Sequence, residues 1–388
     1  MARFLEVFMR AINSGNTYHI YDNSVKLYNG LPAQVYGISF NPMSGFSLYQ
    51  HADIEIGEKV YGVHEAKVNK VLSGFKTFAR SLGVILSGDK GIGKSLFAKM
   101  LCKKAVDEGY PVVICDACYP GIASFIDSID QEVVVLFDEF DKTFKKSKDS
   151  DKPDAQAAML SLFDGVSMNK KLFCVTCNNL YELNEFLVNR PGRFHYHFRF
   201  EYPSKEEIEV YMRDHLPPQK HDEIEKVVNF ARKVDLNYDC LRAIAYELAH
   251  CDTFEEAVSD LNVLKPNNGQ SCKIYVLFED GSRFNETFSV DTFSDDKEEF
   301  DVGDNSEAHD DYLTIELTPS EAVYSEQYGG FYLPAERIKV TEQSKVSDEE
   351  SWVMRNYAEY VRAHRAKNVT GVVLKPVFNR KSIHYFKV

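Results

Sequence analysis

Residues 88–95 read GDKGIGKS, and Gly88, Gly91 and Gly93 are spaced so that the backbone can curl with its N–H groups facing inward. With Asp89, Lys90 and Ile92 between them, these glycines would cradle the phosphates of a nucleotide. The helix that opens at Lys94, Ser95 and Leu96 adds the positive end of its dipole. Lys94 would reach the β- and γ-phosphates and Ser95 would ligate Mg2+. A chance glycine-rich turn would lack the apolar strand before it and the helical pattern after it; both are present here.

Two further apolar runs end in polar groups suited to the same chemistry. VVVLFDEF, residues 133–140, ends in two carboxylates. Asp138 would hold Mg2+ through its water, and Glu139 would polarise a second water for in-line attack on the γ-phosphate. LFCVTCNN ends in Thr176, Asn178 and Asn179. A neutral amide there could orient the attacking water without competing for its proton, although asparagine pairs also form turns.

NRPGRF, residues 189–194, carries Arg190 and Arg193, which follow Asn178 by 12 and 15 positions. In a doubly wound sheet this spacing puts them at the domain's edge, away from a nucleotide held at the strands' carboxyl ends by the same chain. An arginine supplied in trans is worth about 10^3 to 10^5 in phosphoryl-transfer rate. Head-to-tail packing in a closed ring would deliver one to every neighbouring site. Standing alone, an R-x-x-R turn reads as solvated surface.

The elements that must position these groups follow from the apolar pattern. From about residue 56 to 202, apolar strands alternate with helical segments, which predicts an α/β fold with a mostly parallel sheet covered on both faces. Residues 1–55 read as a β-rich segment, and 203–264 as a small helical domain with capping boxes at Ser204/Glu207 and Thr253/Glu256. Residues 265–388 read as a β-rich domain with a hairpin at Asp280-Gly281 and one helix capped by Ser347/Glu350. A helical segment, LNEFLVN, is expected just before the arginines.

The chain has 388 residues, 44% of them hydrophobic, and a formal charge of -14, which argues against a protein that coats nucleic acid nonspecifically. No apolar run is long enough to span a bilayer and no signal peptide is visible, so a soluble, cytoplasmic protein is expected. Eight cysteines include the pairs Cys115/Cys118 and Cys174/Cys177. Positions three apart on a strand face opposite ways and do not converge on zinc. The acidic run 295–311 lacks the spacing of a calcium loop, and the mixed-charge loop 141–154 reads as solvated. In 362–388, Arg362, Arg365, Lys367, Lys375, Arg380, Lys381 and Lys387 face no acid, which leaves a nucleic-acid contact open.

Together these motifs resemble the AAA+ ATPases, within them the AAA group, over about residues 56–262. GDKGIGKS resembles Walker A and VVVLFDEFDK Walker B. SLFDGV is similar to the helix end before sensor 1, TCNN to sensor 1, and NRPGRF to the arginine-finger segment. The resemblance implies ATP and Mg2+, Arg190 and Arg193 as arginine fingers, and Asn178 as sensor 1 with Asn179 as the alternative. It also implies Arg242 as a sensor 2 arginine, Tyr61-Gly62 against adenine, and a homo-oligomer, a hexameric ring acting on a protein substrate. Tyr119-Pro120-Gly121 is similar to the family's pore loop, with a proline that departs from the usual pattern. A DNA-transaction ATPase and an ATP-gated scaffold are the competing roles. The compact architecture with unfamiliar flanks suggests a phage or other mobile element.

Overall fold

The computed structural model describes residues 9–377 except 23, 58, 63, 146–153, 165–169, 189, 264–269, 304–311 and 342–367. The first described elements are an exposed hairpin of β1 (Arg10–Ser14) and β2 (Thr17–Tyr21), then a second hairpin of β3 (Val35–Asn41) and β4 (Gly45–Gln50). The strands β5 (Leu82–Ser87), β6 (Val112–Cys115), β7 (Val133–Phe137) and β8 (Lys171–Cys177) are the apolar runs that carry the motifs. With β9 (Tyr196–Arg199) they form one sheet of order β4-β3-β6-β7-β8-β5-β9. Neighbours from β3 to β9 pair parallel and β4 is antiparallel at the edge. Two strands of the segment expected to precede the core therefore extend its sheet, with Val35 opposite Val112.

Both faces of that sheet are covered, which is why its strands are apolar without alternation. Val133, Val135 and Phe137 pack into a layer with α3 (Ile122–Asp127), α4 (Phe140–Thr143) and α5 (Ala155–Phe163). The intervening Val134 and Leu136 face α1 (His64–Thr77) and α2 (Lys94–Asp107). Cys174 and Cys177 fall into these two different layers. Helix α1 buries Val68, Val71, Leu72 and Phe75, one stripe at helical spacing. Its carboxyl end is closed by Lys170, whose Nζ donates to the carbonyls of Phe75 (2.9 Å) and Phe78 (3.3 Å).

Over the described residues 183–188 the helix expected at LNEFLVN does not form; a 3-10 turn at Leu180–Glu182 leads into further turns there. Short polar side chains compete for the backbone there: Asn179 Oδ1 accepts from Tyr181 N–H (3.1 Å) and Asn184 Oδ1 from Phe186 N–H (3.0 Å).

Helices α6 (Lys205–His215), α7 (Ile224–Lys233), α8 (Tyr238–Leu248) and α9 (Phe254–Ser259) follow. The Ser204/Glu207 box is reciprocal, with bonds of 3.0 and 3.3 Å. Thr253 accepts from Glu256 N–H (3.2 Å), but the Glu256 carboxylate takes the Asp252 N–H instead. The remaining strands are β10 (Gln270–Phe278), β11 (Arg283–Val290), β12 (Glu298–Gly303), β13 (Tyr312–Leu317), β14 (Val323–Ser325), β15 (Gly330–Pro334), β16 (Lys339–Thr341) and β17 (Val369–Pro376). They form antiparallel sheets of order β11-β10-β17-β15-β14 and β12-β13-β16 around a common core that includes Ile274, Ile315, Leu333 and Val372. The helix expected at Ser347/Glu350 lies outside the described residues.

The chain divides into two compact units: one runs to Asp214 and includes Leu236–Arg242, the other holds His215–Asp235 and continues from Ala243. The helical region between the sheets is thus shared out, and α8 begins in the first unit. Among the described residues, no helix is long and apolar enough to cross a membrane.

Candidate nucleotide-binding site

The turn after β5 is shaped as its glycines predict. Gly88, Gly91 and Gly93 have φ of +143°, +74° and +99°. A Cβ on Gly88 would stand 2.4 Å from the Phe200 carbonyl, and one on Gly91 2.7 Å from Asn237 Nδ2. Asn237 was not foreseen: its Nδ2 donates to the Lys90 carbonyl (3.2 Å) while its Oδ1 caps α8 by accepting from Cys240 N–H (2.8 Å). Tyr238 N–H donates to the Gly91 carbonyl at 3.0 Å. Lys94 is buried and folds back, its Nζ donating to the carbonyls of Gly88 (2.7 Å) and Asp89 (2.5 Å). Burial lowers its pKa against the pull of Asp89, Asp141 and Asp138. Ile92 is buried under the turn, while Ser95, beside Leu96 in the first turn of α2, is exposed. A cradle that side chains would fill, a helix N-terminus and an ammonium held by loop carbonyls fit a polyphosphate.

The acidic strand end is held by the strand beside it. Glu139 has φ +46°, the one positive value among described residues other than glycine, a conformation that costs about 1–3 kcal/mol. Its N–H donates to Thr176 Oγ1 (2.8 Å), and the Thr176 hydroxyl donates to Asp138 Oδ1 (2.6 Å). One buried hydroxyl on β8 thereby orients both acids that follow β7. The Glu139 carboxylate accepts from Asn178 Nδ2 (3.3 Å) and from Lys142 Nζ. Lys142 foremost, then Asn178, holds its pKa below the usual carboxylate value.

Asp141 was not foreseen either. It is buried, and its Oδ2 accepts the backbone N–H groups of both Asn178 (3.0 Å) and Asn179 (3.1 Å). Asn178 presents its amide to Glu139, whereas Asn179 spends its side chain capping the following turn. The place of Asp141 two residues past Glu139, in the short α4 that leaves the acidic strand, is the available sequence signal. The Cys177 thiol nearby is pushed up to about 12 by burial and by Asp141.

On the flank of the turn, Tyr61 lies with ring centroids 5.1 Å from Tyr211 and 6.3 Å from Tyr238, and its hydroxyl donates to Asp214 (3.0 Å). Gly62, at φ +78°, sits where a Cβ would meet Glu207 Oε1 at 2.7 Å. His64, the first residue of α1, comes within 3.1 Å of a Cβ on Gly93 and packs edge-on to Phe200. Arg242 is exposed and pairs with Asp239 (3.6 Å), one turn into the helix whose start is bonded to the phosphate turn.

The arginine turn lies at the other end of β5. His195 N–H donates to the Gly83 carbonyl (2.9 Å), and a Cβ on Gly83 would stand 2.4 Å from the Arg193 carbonyl. From Gly83 to Gly88 the strand climbs roughly 16 Å at about 3.3 Å per residue. The two arginines, alike in sequence, differ here. Arg193 makes a bidentate contact to Asp164, with Nη2 to Oδ2 at 2.8 Å, and its Nη1 donates to the Phe186 carbonyl (2.6 Å). Arg190 is exposed, its guanidinium 5.1 Å from the Phe186 ring. Asn189 lies outside the described residues.

Tyr119 is half-buried, packed on Phe40 (5.3 Å) and Phe46 (6.3 Å). Of the basic segment, Lys375 is on β17; Arg362, Arg365, Lys367, Arg380, Lys381 and Lys387 lie outside the described residues, as do 146–153 of the charged loop and 304–311 of the acidic run.

No curated protein matches the chain. Residues 84–202 match the ATPase family associated with various cellular activities (AAA). That stretch runs from β5 through the phosphate turn, the acidic strand, Asn178 and the arginine turn to the end of β9, and this protein therefore carries an AAA ATPase domain of the AAA+ superfamily.

Proposed function

We propose that the chain is a cytoplasmic, homo-oligomeric ATPase that closes into a ring, hexameric by its family's habit, and uses ATP hydrolysis to remodel or translocate a protein substrate. The observation that carries this reading is the separation along β5: the phosphate turn follows Ser87, while the turn that carries exposed Arg190 docks beside Gly83 at the strand's opposite end. Arg190 meets a γ-phosphate if a second copy brings one.

Within one copy the roles divide by geometry. Lys94 and the turn's N–H groups bind phosphate, and Tyr61, beside Gly62, offers its ring to the base. Ser95 and Asp138 would hold Mg2+, which supplies neutralising charge at the phosphate oxygens when bound. Glu139, its pKa lowered, stands deprotonated near neutral pH as the base, and Asn178 fixes its carboxylate. Arg242 reaches the same nucleotide from α8. A protein substrate suits the net charge of -14 and the exposed Tyr18, Ile20, Leu27 and Tyr28 of the N-terminal region. Tyr119, already packed, has no part in this reading.

Mixing tests it. Lys94→Ala and Arg190→Ala copies, each inactive alone, should partly restore hydrolysis when co-assembled. Intact assemblies with no restoration would end the trans reading. Stimulation by DNA with a steep salt dependence, and none by unfolded protein, would move the substrate to nucleic acid.

A further inference from the structure

We infer that the two arginines of the turn have different tasks: Arg190 is the group offered to the neighbouring copy, and Arg193 is an internal strut that positions it. This rests on the trans reading above and refines it.

The bonds that Arg193 makes leave little of it for a second subunit. Its side chain is 10% exposed, and the guanidinium is shared between the Asp164 carboxylate at the end of α5 and the Phe186 carbonyl. A bidentate arginine–carboxylate pair is among the strong, directional contacts a protein makes. Asp164 in turn has its pKa lowered, by Arg193 first. Recruiting Arg193 to a phosphate in trans would strip the partner from that carboxylate and from the carbonyl.

What the strut holds is the turn from which Arg190 projects. The Arg190 carbonyl accepts from both Arg193 N–H (2.9 Å) and Phe194 N–H (3.0 Å). Phe194 is buried against Phe163, the residue before Asp164, with ring centroids 5.1 Å apart. Phe186, whose carbonyl Arg193 takes, lends its ring to the Arg190 guanidinium. Arg193 thus fixes the backbone on one side of Arg190 and the aromatic surface on the other.

The test is a double-mutant cycle on the full chain, reading ATP hydrolysis with nucleotide affinity and melting as controls. Arg190→Ala should lose about 10^3-fold or more in turnover. Arg193→Ala and Asp164→Ala should each lose turnover to a similar degree as one another while nucleotide affinity holds. In the Arg190→Ala background, adding Arg193→Ala should change the residual rate by no more than about twofold, because there is no finger left to position. The exchanged pair Asp164→Arg with Arg193→Asp should recover at least tenfold over the worse single variant, and because an aspartate cannot stabilise a phosphate, that recovery would be unavailable to a finger. A further tenfold loss in the double mutant, or an exchanged pair as inactive as its singles though folded, would overturn the strut while leaving the trans reading intact. Parental turnover in Arg190→Ala would instead remove the trans reading and the strut together.

Discussion

The two ends of the central sheet are furnished differently. At the carboxyl ends of β5, β7 and β8, the functional groups are held by one or two hydrogen bonds each: Asn178 and Lys142 to Glu139, Thr176 to Asp138, Lys94 to two of its own loop carbonyls. At the opposite end of β5, the arginine turn is closed by a bidentate ion pair and a buried phenylalanine. The bonds of the half-exposed Glu139 carboxylate and of the Lys94 ammonium to its loop carbonyls can be traded for bonds to a nucleotide, whereas the multiply anchored turn keeps one geometry. The first end is suited to exchange ligands and the second to present a fixed group.

The sharpest way to break that contrast is at its reactive end. Glu139→Gln should keep nucleotide binding and lower hydrolysis by about 10^2 to 10^4, the usual worth of a positioned base. Equilibrium nucleotide binding measured beside turnover checks it, and near-parental turnover would take the base role from Glu139. Asp141→Ala should cost about 2–4 kcal/mol in unfolding free energy, since it leaves two N–H groups, those of Asn178 and Asn179, without their acceptor. Asp141→Asn keeps an acceptor oxygen and should cost less. Equal melting of the two variants would mean that the backbone bonds carry no weight.

A third substitution probes the segment that joins the two ends. Gln156 is fully buried; its Nε2 donates to the Phe144 (2.8 Å) and Glu182 (2.9 Å) carbonyls, and its Oε1 accepts from Asn184 N–H (2.6 Å). Gln156→Ala should cost about 1–3 kcal/mol, read by denaturant unfolding, because three backbone groups lose a partner in the interior. Loss of hydrolysis with unchanged stability would show that the residue acts on the site and not on the fold.

Much of this was legible in the chain. The phosphate turn, the acidic strand and the parallel core follow from local pattern, because an apolar strand and a glycine turn state their geometry within a few residues. The capping box of α6 and the Thr253 cap of α9 are equally local. What was not legible depends on distant partners. Arg190 and Arg193 are indistinguishable until Asp164, 29 residues earlier, takes one of them. Asp141 and Gln156, each the second residue of its helix, look like ordinary first-turn polar residues until β8 and the following turns bring backbone groups to them. Strands β3 and β4 alternate too weakly to announce that they join the core sheet, and α1 is the one of these elements whose stripe, Val68, Val71, Leu72 and Phe75, stands at helical spacing in the sequence itself.

The smallest effect belongs to Lys142, which separates holding a group from tuning it. Lys142 bonds the Glu139 carboxylate at the surface, and it is the largest cause of that carboxyl's lowered pKa. A depressed acid keeps its charge as pH falls until its own pKa is reached. Lys142→Met removes that influence, so the Glu139 pKa should rise toward its ordinary value and the acidic limb of the hydrolysis profile should move to higher pH. Both side chains are over 40% exposed, so solvent screens the pair and melting should be unchanged. Thr176 and Asn178 would still orient the carboxylate, and turnover on the plateau near neutral pH should be close to parental. An acidic limb that stays in place would show that Asn178 and solvent alone set the base, and a collapse of the plateau would show that Lys142 holds Glu139 in position and does more than tune its charge.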